Sequence, residues 1–398
     1  MSIPKQPELT EAMEVLLAEL NEILSNPVVE AAYNEAVSNV QKDIFDLETQ
    51  STIPNPWAGT TVEYFINYFK DWFTFLPSPT SGLGKIVPFT WFYINNQSAF
   101  FFLNTFESKS VCATKYSKEI FNWTVKFIKA RGEFMDSHAS APSYLIKEWE
   151  TFLGSQMQDY VVPEGGYRTF NEFFTRKLKD QSKSRPIIDD SPAVVVASGD
   201  TEINFIESNL ALETDLKVKT RQINVAQLLG NSDLAHYFEN GTALSCVLMP
   251  NNYHHYHSPV DGEIVESKDI PGIYNGIVDG EDWFNKGNIG ESTTDFSIFE
   301  DFHRAYYIVD TKQYGYVAIV PVGLNTISKI RSLIPYTDKL VEKGETPVRI
   351  KKGDELGHFA YGGSLNIILF EPGVFSSLSV LMGQRLGEMS APSRLKSN

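Results

Sequence analysis

The stretch 351-KKGDELGHFAYGGSLNIILFE-371 changes character at its centre. Gly362, Gly363 and Ser364 separate a turn-rich run from the apolar, β-type run Leu365–Phe370. A Gly-Gly pair lets a backbone turn sharply, and serine is a common turn residue, so the three residues alone need no chemistry. The same residues could equally set a hydroxyl at the mouth of a strand. LNIILF is the last of a series, AVVVAS, ALSCVLM, GEIVES, AYYIVD and YVAIVPV, that begins after Pro192 and is broken by turn signals such as Asp261-Gly262. That spacing of short β-type runs predicts a β-rich domain.

Upstream the periodicity is helical. Met13, Leu16, Leu17, Leu20 and Leu24 recur at helical spacing behind Thr10, a residue suited to an N-cap. Asn26-Pro27 reads as an N-cap with proline at the first helical position, opening a second helix through Val40 and Ile44. Further amphipathic stretches run over 62–75, 116–134 and 143–158. We therefore expect an α+β protein: a helical N-terminal domain, 1–160, and a β-rich catalytic domain, 161–398, with the boundary in the turn-prone VVPEGGY.

The 398 residues are 42% hydrophobic, enough for a packed core. The formal net charge of −16 opposes nucleic-acid phosphates and anionic headgroups, so neither nucleic acid nor a membrane is an expected partner. Cys112 and Cys246 are isolated, which gives neither a zinc spacing nor a disulfide framework and fits a reducing compartment. The N-terminus lacks a signal core, and Pro88, Asn95, Asn96, Gln97 and Ser98 interrupt the most apolar run, 86–106. A cytoplasmic, soluble protein is the expectation.

Three of the seven histidines fall in NNYHHYHSPVDG: His254, His255 and His257. His255 and His257 could supply two metal ligands, but no third stands at a known metal-site spacing, so no metal is expected. The other use of such residues is acid–base chemistry near neutral pH. His138, His236, His303 and His358 are read as structural or solvated. Asp200 follows the apolar run Val194–Ala197 and Gly199, where an aspartate can face a cleft or simply close a turn. Asp200, a histidine and Ser364 form the inventory for activating a serine hydroxyl.

Four stretches, in this order, resemble the phosphatidylserine decarboxylase family. FNEFFTRKLKDQSKSRPI (170–187) is similar to its Phe-x-x-Phe-Phe-x-Arg-x-Leu segment, YHHYHSPVDG to its Tyr-His-x-x-His-x-Pro-x-x-Gly motif, YVAIVPVGL to its Val-Pro-Val-Gly strand, and KKGDELGHFAYGGS to its Lys-Gly-x-x-Leu-Gly-x-Phe-x-x-Gly-Ser segment. The helical part also resembles the extension of fungal soluble members, which include a tryptophan decarboxylase. The resemblance implies that the chain cuts itself between Gly363 and Ser364, and that Ser364 becomes a covalent pyruvoyl group. It assigns Asp200, His257 and Ser364 to self-cleavage and His254 to decarboxylation, and it makes the cleaved C-terminal fragment a partner of the remaining chain.

The residue types suit that chemistry. Ser364 would attack the Gly363 carbonyl with His257 as base and Asp200 as its orienter. The ester then eliminates, and hydrolysis leaves pyruvoyl and ammonia. The pyruvoyl carbonyl takes up the electrons released with carbon dioxide, as pyridoxal does elsewhere. Leu365 stands where the lipid enzymes carry a hydroxyl residue, and Ser-Gly-Asp-Thr replaces their Val-Asp-Gly. The acidic balance and the aromatic-rich helical part favour a small-molecule substrate, an L-amino acid such as tryptophan; the alternative is phosphatidylserine. Arg176, Lys177, Lys179, Lys183 and Arg185 form a basic run that could meet headgroups or lie in a solvated loop, and Arg304 could hold a carboxylate or a structural ion pair. Two other classes stay open. A serine hydrolase would lack the Gly-x-Ser-x-Gly elbow, and a binding module would stay one chain with no reactive carbonyl.

Overall fold

The structure, a computed structural model, describes residues 6–46, 51–81, 84–103, 114–213, 223–275, 296–324, 330–332, 346–380 and 382–383. Cys112 lies outside them.

Helix α1 (Glu11–Leu24) begins where the Thr10 hydroxyl accepts the Met13 amide, and α2 (Pro27–Ser38) where Asn26 accepts the Val28 amide, as the sequence predicts. The helix stops at Ser38, and Ile44 lies instead in a hairpin of β1 (Asp43–Asp46) and β2 (Ser51–Pro54). Helices α3 (Val62–Phe73), α4 (Ile86–Tyr93), α5 (Lys115–Met135) and α6 (Ser143–Leu153) follow. The apolar run beginning at Ile86 is thus a buried helix followed by a 3₁₀ turn.

These helices share one core, dominated by aromatic side chains. Trp57, Phe65, Phe69, Trp72, Phe89 and Phe127 meet mostly edge-to-face or tilted at ring separations of 4.9–6.4 Å, with Phe69 and Trp72 stacked at 5.6 Å, arrangements the ring quadrupole favours. The same core continues past residue 160, through Tyr167 and the short helix α7 (Phe170–Phe174), and takes in Tyr361 from the far end of the chain.

The remaining strands are β3 (Glu202–Ser208), β4 (Thr242–Leu248), β5 (His255–His257), β6 (Gly262–Ile270), β7 (Arg304–Asp310), β8 (Tyr316–Leu324), β9 (Ile330–Ser332), β10 (Val348–Ile350), β11 (Glu355–Phe359) and β12 (Gly363–Phe370). Seven form an antiparallel sheet in the order β10-β6-β7-β8-β12-β4-β3, and β5-β11-β9 form a smaller one. Alternation along β12 divides its side chains between two cores. Leu365, Ile367 and Leu369 enter one with Val320, Val322 and Phe238. Ile368 and Phe370 enter the other with Tyr256, Leu356 and Phe359 of the smaller sheet.

One expected strand is absent. Val194–Ala197 is extended but unpaired as a ladder: Val196 donates to the Pro259 carbonyl, and proline has no N–H to return the bond. The strand forms downstream instead, at Glu202–Ser208. No helix among the described residues is long and apolar enough to cross a membrane.

Edge strand β3 carries a buried acid, Glu207. Burial pushes its carboxyl up to about 7, against a single amide from Ile223 at 3.4 Å, and one carboxyl oxygen has no partner. The unfolded chain releases this proton first, so the group's contribution to stability falls as pH rises from about 4.5 to about 7. Glu207→Gln should therefore be more stable than the parent at pH 8, by up to about 3 kcal/mol, and nearly equal to it at pH 4.5. Urea unfolding of both proteins at the two pH values measures the difference.

Candidate active site

Four sequence elements converge around the start of β12. Strand β11 pairs with β5, ends at Phe359, and leads through one turn into β12. That turn needs its glycines: Gly362 has φ +154°, and a Cβ on Gly363 would lie 3.1 Å from the Leu324 Cβ. Ser364 then enters the sheet between Gly323 of β8 and Leu248 of β4. It is 1% exposed, and its hydroxyl has no hydrogen-bond partner.

The helical part grips the residues just before this point. The Tyr361 amide donates to Asn171 Oδ1 at 2.9 Å, and Asn171 Nδ2 donates to Asp136 at 2.8 Å. The Tyr361 ring packs edge-on against Phe170 and Phe174 and lies under the Arg131 guanidinium. Arg131 is fully buried. Its donors go to the Phe73 and Phe75 carbonyls, and burial pushes its pKa down to about 10.

His254 is fully buried, stacked on Phe174 at 3.6 Å between ring centroids, and neither ring nitrogen makes a well-formed hydrogen bond, although the Asn252 and Phe174 backbones lie close enough to favour its charged form. Burial, with the charge of Arg176 nearby, holds its pKa well below the ordinary histidine value, so the ring is neutral at neutral pH. His257 has both nitrogens engaged: Nδ1 faces the Gly353 carbonyl at 2.8 Å and Nε2 faces the Tyr253 hydroxyl at 3.3 Å. A carbonyl only accepts, so Nδ1 carries the proton and Nε2 is the basic nitrogen. Burial lowers the pKa of this ring as well.

Asp200 is held by Arg185, whose Nε and Nη2 donate to the two carboxylate oxygens at 2.8 Å each. It makes no hydrogen bond to His257, whose Nδ1 is already taken by Gly353. Asp200 nevertheless acts on the same ring. The Ser198 carbonyl accepts the His257 amide at 2.7 Å, which ties the 198–200 turn to β5, and the Asp200 charge favours protonated His257.

His255 sits on the face opposite His254, stacked on Tyr253 at 4.6 Å. A bulge between Glu355 and Gly357 turns Glu355 to the same side as His358, and donor atoms of His255, Glu355 and His358 lie within 4.8 Å of one another. Each His255 nitrogen already has a partner, Glu355 on Nδ1 and the Thr175 carbonyl on Nε2.

The two arginines of the basic run turn inward, while Lys177, Lys179 and Lys183 are exposed. Arg176 is buried against Tyr160 and donates to the carbonyls of Asn251 and Asn252, and Arg185 serves Asp200. Arg304 is also internal, donating to the carbonyls of Leu228, Phe302 and Gln227. Sequence reasoning missed Tyr253, Arg185, Phe174 and Asn171 as partners of the site. All four lie inside the quoted motifs, Asn171, Phe174 and Arg185 in the 170–187 segment, but nothing local marked Asn171 as the holder of Tyr361, 190 residues away.

A family model for phosphatidylserine decarboxylase matches residues 170–388, from α7 onward. The phosphatidylserine decarboxylase proenzyme of Fusobacterium nucleatum is 31% identical over 226 residues, 57% of this chain and 67% of the relative. That of Psychrobacter arcticus is 30% identical over 207 residues, 51% of this chain and 69% of the relative. Proenzyme 3 of Schizosaccharomyces pombe is 31% identical over 263 residues, 63% of this chain but only 25% of the longer relative. With more than half its length matched, and with the glycine–serine turn, the paired histidines and the aromatic segment of α7 brought together, the chain belongs to the phosphatidylserine decarboxylase family of pyruvoyl-dependent carboxy-lyases.

Proposed function

We propose that this chain is a proenzyme that cuts itself between Gly363 and Ser364 and then decarboxylates the serine headgroup of phosphatidylserine. The observation that carries the reading is the buried Ser364 hydroxyl, left without a partner directly behind Gly363 in a member of a family whose relatives are named as proenzymes. Polar groups buried without partners are rare in folded proteins and concentrate where a reacting group will use them.

His257 Nε2 takes the Ser364 proton, and Asp200 stabilises the charge this creates. The hydroxyl oxygen bonds to the Gly363 carbonyl carbon as the Gly363–Ser364 peptide bond breaks. Elimination from the resulting ester frees the Gly363 carboxylate, and water releases ammonia from the new terminus. The residues present suit a pyruvoyl there: residue 364 lies in an enclosed site, and its carbonyl would supply the sink for the electron pair released with carbon dioxide. His254, held neutral by burial, would deliver a proton to the substrate α-carbon, a role its apolar pocket supports. The fragment from Ser364 to Asn398 stays bound through β12, which is paired on both edges.

A second substrate reading is a free L-amino acid with an aromatic side chain. The net charge of −16 and the inward-turned Arg176 and Arg185 favour it, since both work against an anionic bilayer. A cytoplasmic location suits either substrate.

The denatured mass of the purified protein should show two fragments meeting at Gly363 and Ser364, the smaller blocked at its N-terminus. Ser364→Ala should give a single chain with no activity. Cleavage of that variant, or an uncut wild type, sinks the assignment and leaves a hydrolase or a binding module.

His257→Ala should remain mostly uncut. His254→Ala should be cut normally yet lose turnover by about 10²-fold or more, read as carbon dioxide release.

Carbon dioxide release from phosphatidylserine vesicles and from L-tryptophan, measured side by side, should be faster with the lipid. Release from the amino acid alone selects the second reading.

A further inference from the structure

Asn366 lies in the middle of the protein with no exposed surface, and neither its amide nitrogen nor its amide oxygen has a hydrogen-bond partner. It stands in a central strand, opposite Cys246 on one side and Pro321 on the other; proline offers no polar side chain, and the Cys246 thiol, a weak donor, is engaged with Thr201. An amide buried in this way costs its full desolvation and gains nothing in return. A valine or isoleucine would suit the position better, as Ile367 and Ile368 show beside it.

Strand geometry says what the amide is near. Side chains at i and i+2 share a face, and two residues advance about 6.6 Å along the strand. Asn366 therefore stands on the Ser364 side of β12, one step deeper, on the face whose Ile368 and Phe370 pack with Tyr256 and Phe359 of the smaller sheet. A substrate amine joined at residue 364 would place the other groups on its α-carbon within a few ångströms of that residue, in the space between positions 364 and 366.

We propose that Asn366 is a substrate-contacting residue, whose amide N–H donates to the carboxylate on the substrate α-carbon. The inference rests on the decarboxylase reading above. It adds that the proenzyme keeps one polar side chain unsatisfied in its core so that the substrate can satisfy it. A carboxylate is the fitting partner because it only accepts, and because a neutral donor holds it in place without the tight ion pair that would resist its departure.

The test replaces the amide by an apolar side chain, Asn366→Val, with Asn366→Ala as a second variant in case the added branch crowds the core. Three quantities are read on full-length protein: the urea midpoint, the extent of self-cleavage, and KM and kcat with whichever of phosphatidylserine or L-tryptophan the wild type decarboxylates. Asn366→Val should unfold at higher urea than the wild type, be cut to the same extent, and show a KM raised about tenfold or more. A lower midpoint for both variants would mean that the amide supports the fold, and would overturn the proposal. So would unchanged KM and kcat in a fully cut variant. A wild type that stays uncut defeats the decarboxylase reading instead, and the urea midpoints still judge the amide.

Discussion

Backbone pairing on both edges of β12 is the constraint from which the rest of the site follows. Gly363 to Phe370 is matched residue for residue by Leu324 to Val317 of β8, and Ser364 to Phe370 by Leu248 to Thr242 of β4. A strand bonded on both sides cannot slide, because a slip of one residue would move Leu365, Ile367 and Leu369 out of one core and Ile368 and Phe370 out of the other. The register thus fixes where Ser364 stands. A cut beside Ser364, as proposed, would fall at the end of the ladder, and the pairing downstream would not depend on the turn before it.

What the sheet does for Ser364, the helical part does for the residues in front of it. Asn171 holds the Tyr361 amide, while Phe170, Phe174 and Arg131 enclose its ring. The same Phe174 stacks on His254. One short helix therefore sets both the approach to the glycine–serine turn and the position of the buried imidazole. The family match begins at this helix, and the larger helical part in front of it shares its apolar core. The direct ring contacts of that part to α7 come through Trp149, which meets both Phe170 and Phe173.

Much of this was legible in the sequence because it is local. The caps at Thr10 and Asn26, the helical periodicities and five of the six β-type runs are set by residues within one element of each other. The failures were places where a distant partner decides. Val194–Ala197 has strand composition, but its neighbour offers Pro259, which cannot complete a ladder. Ile44 has helical spacing behind α2, yet finds a hairpin partner in Ile53. Within the site, the residue types were readable and their pairings were not. Asp200 and His257 suggest a hydrogen-bonded pair by type, whereas Arg185 holds the one and Gly353 with Tyr253 hold the other. Such choices depend on which donor lies nearest in space, and sequence order says nothing of that.

The three clustered histidines show how neighbouring residues of one type acquire different chemistry. His255 and His257 both stack on Tyr253, so they share a face of β5, and each has its two nitrogens committed. His254 turns the other way, onto Phe174, and neither of its nitrogens makes a well-formed hydrogen bond. A committed ring has a fixed direction, as the Gly353 carbonyl and Tyr253 give His257. A ring in an apolar pocket, as His254 is against Phe174, is held neutral by burial. Strand alternation alone separates the two environments. His254 and His257 stand three residues apart, an odd number, so alternation puts them on opposite faces.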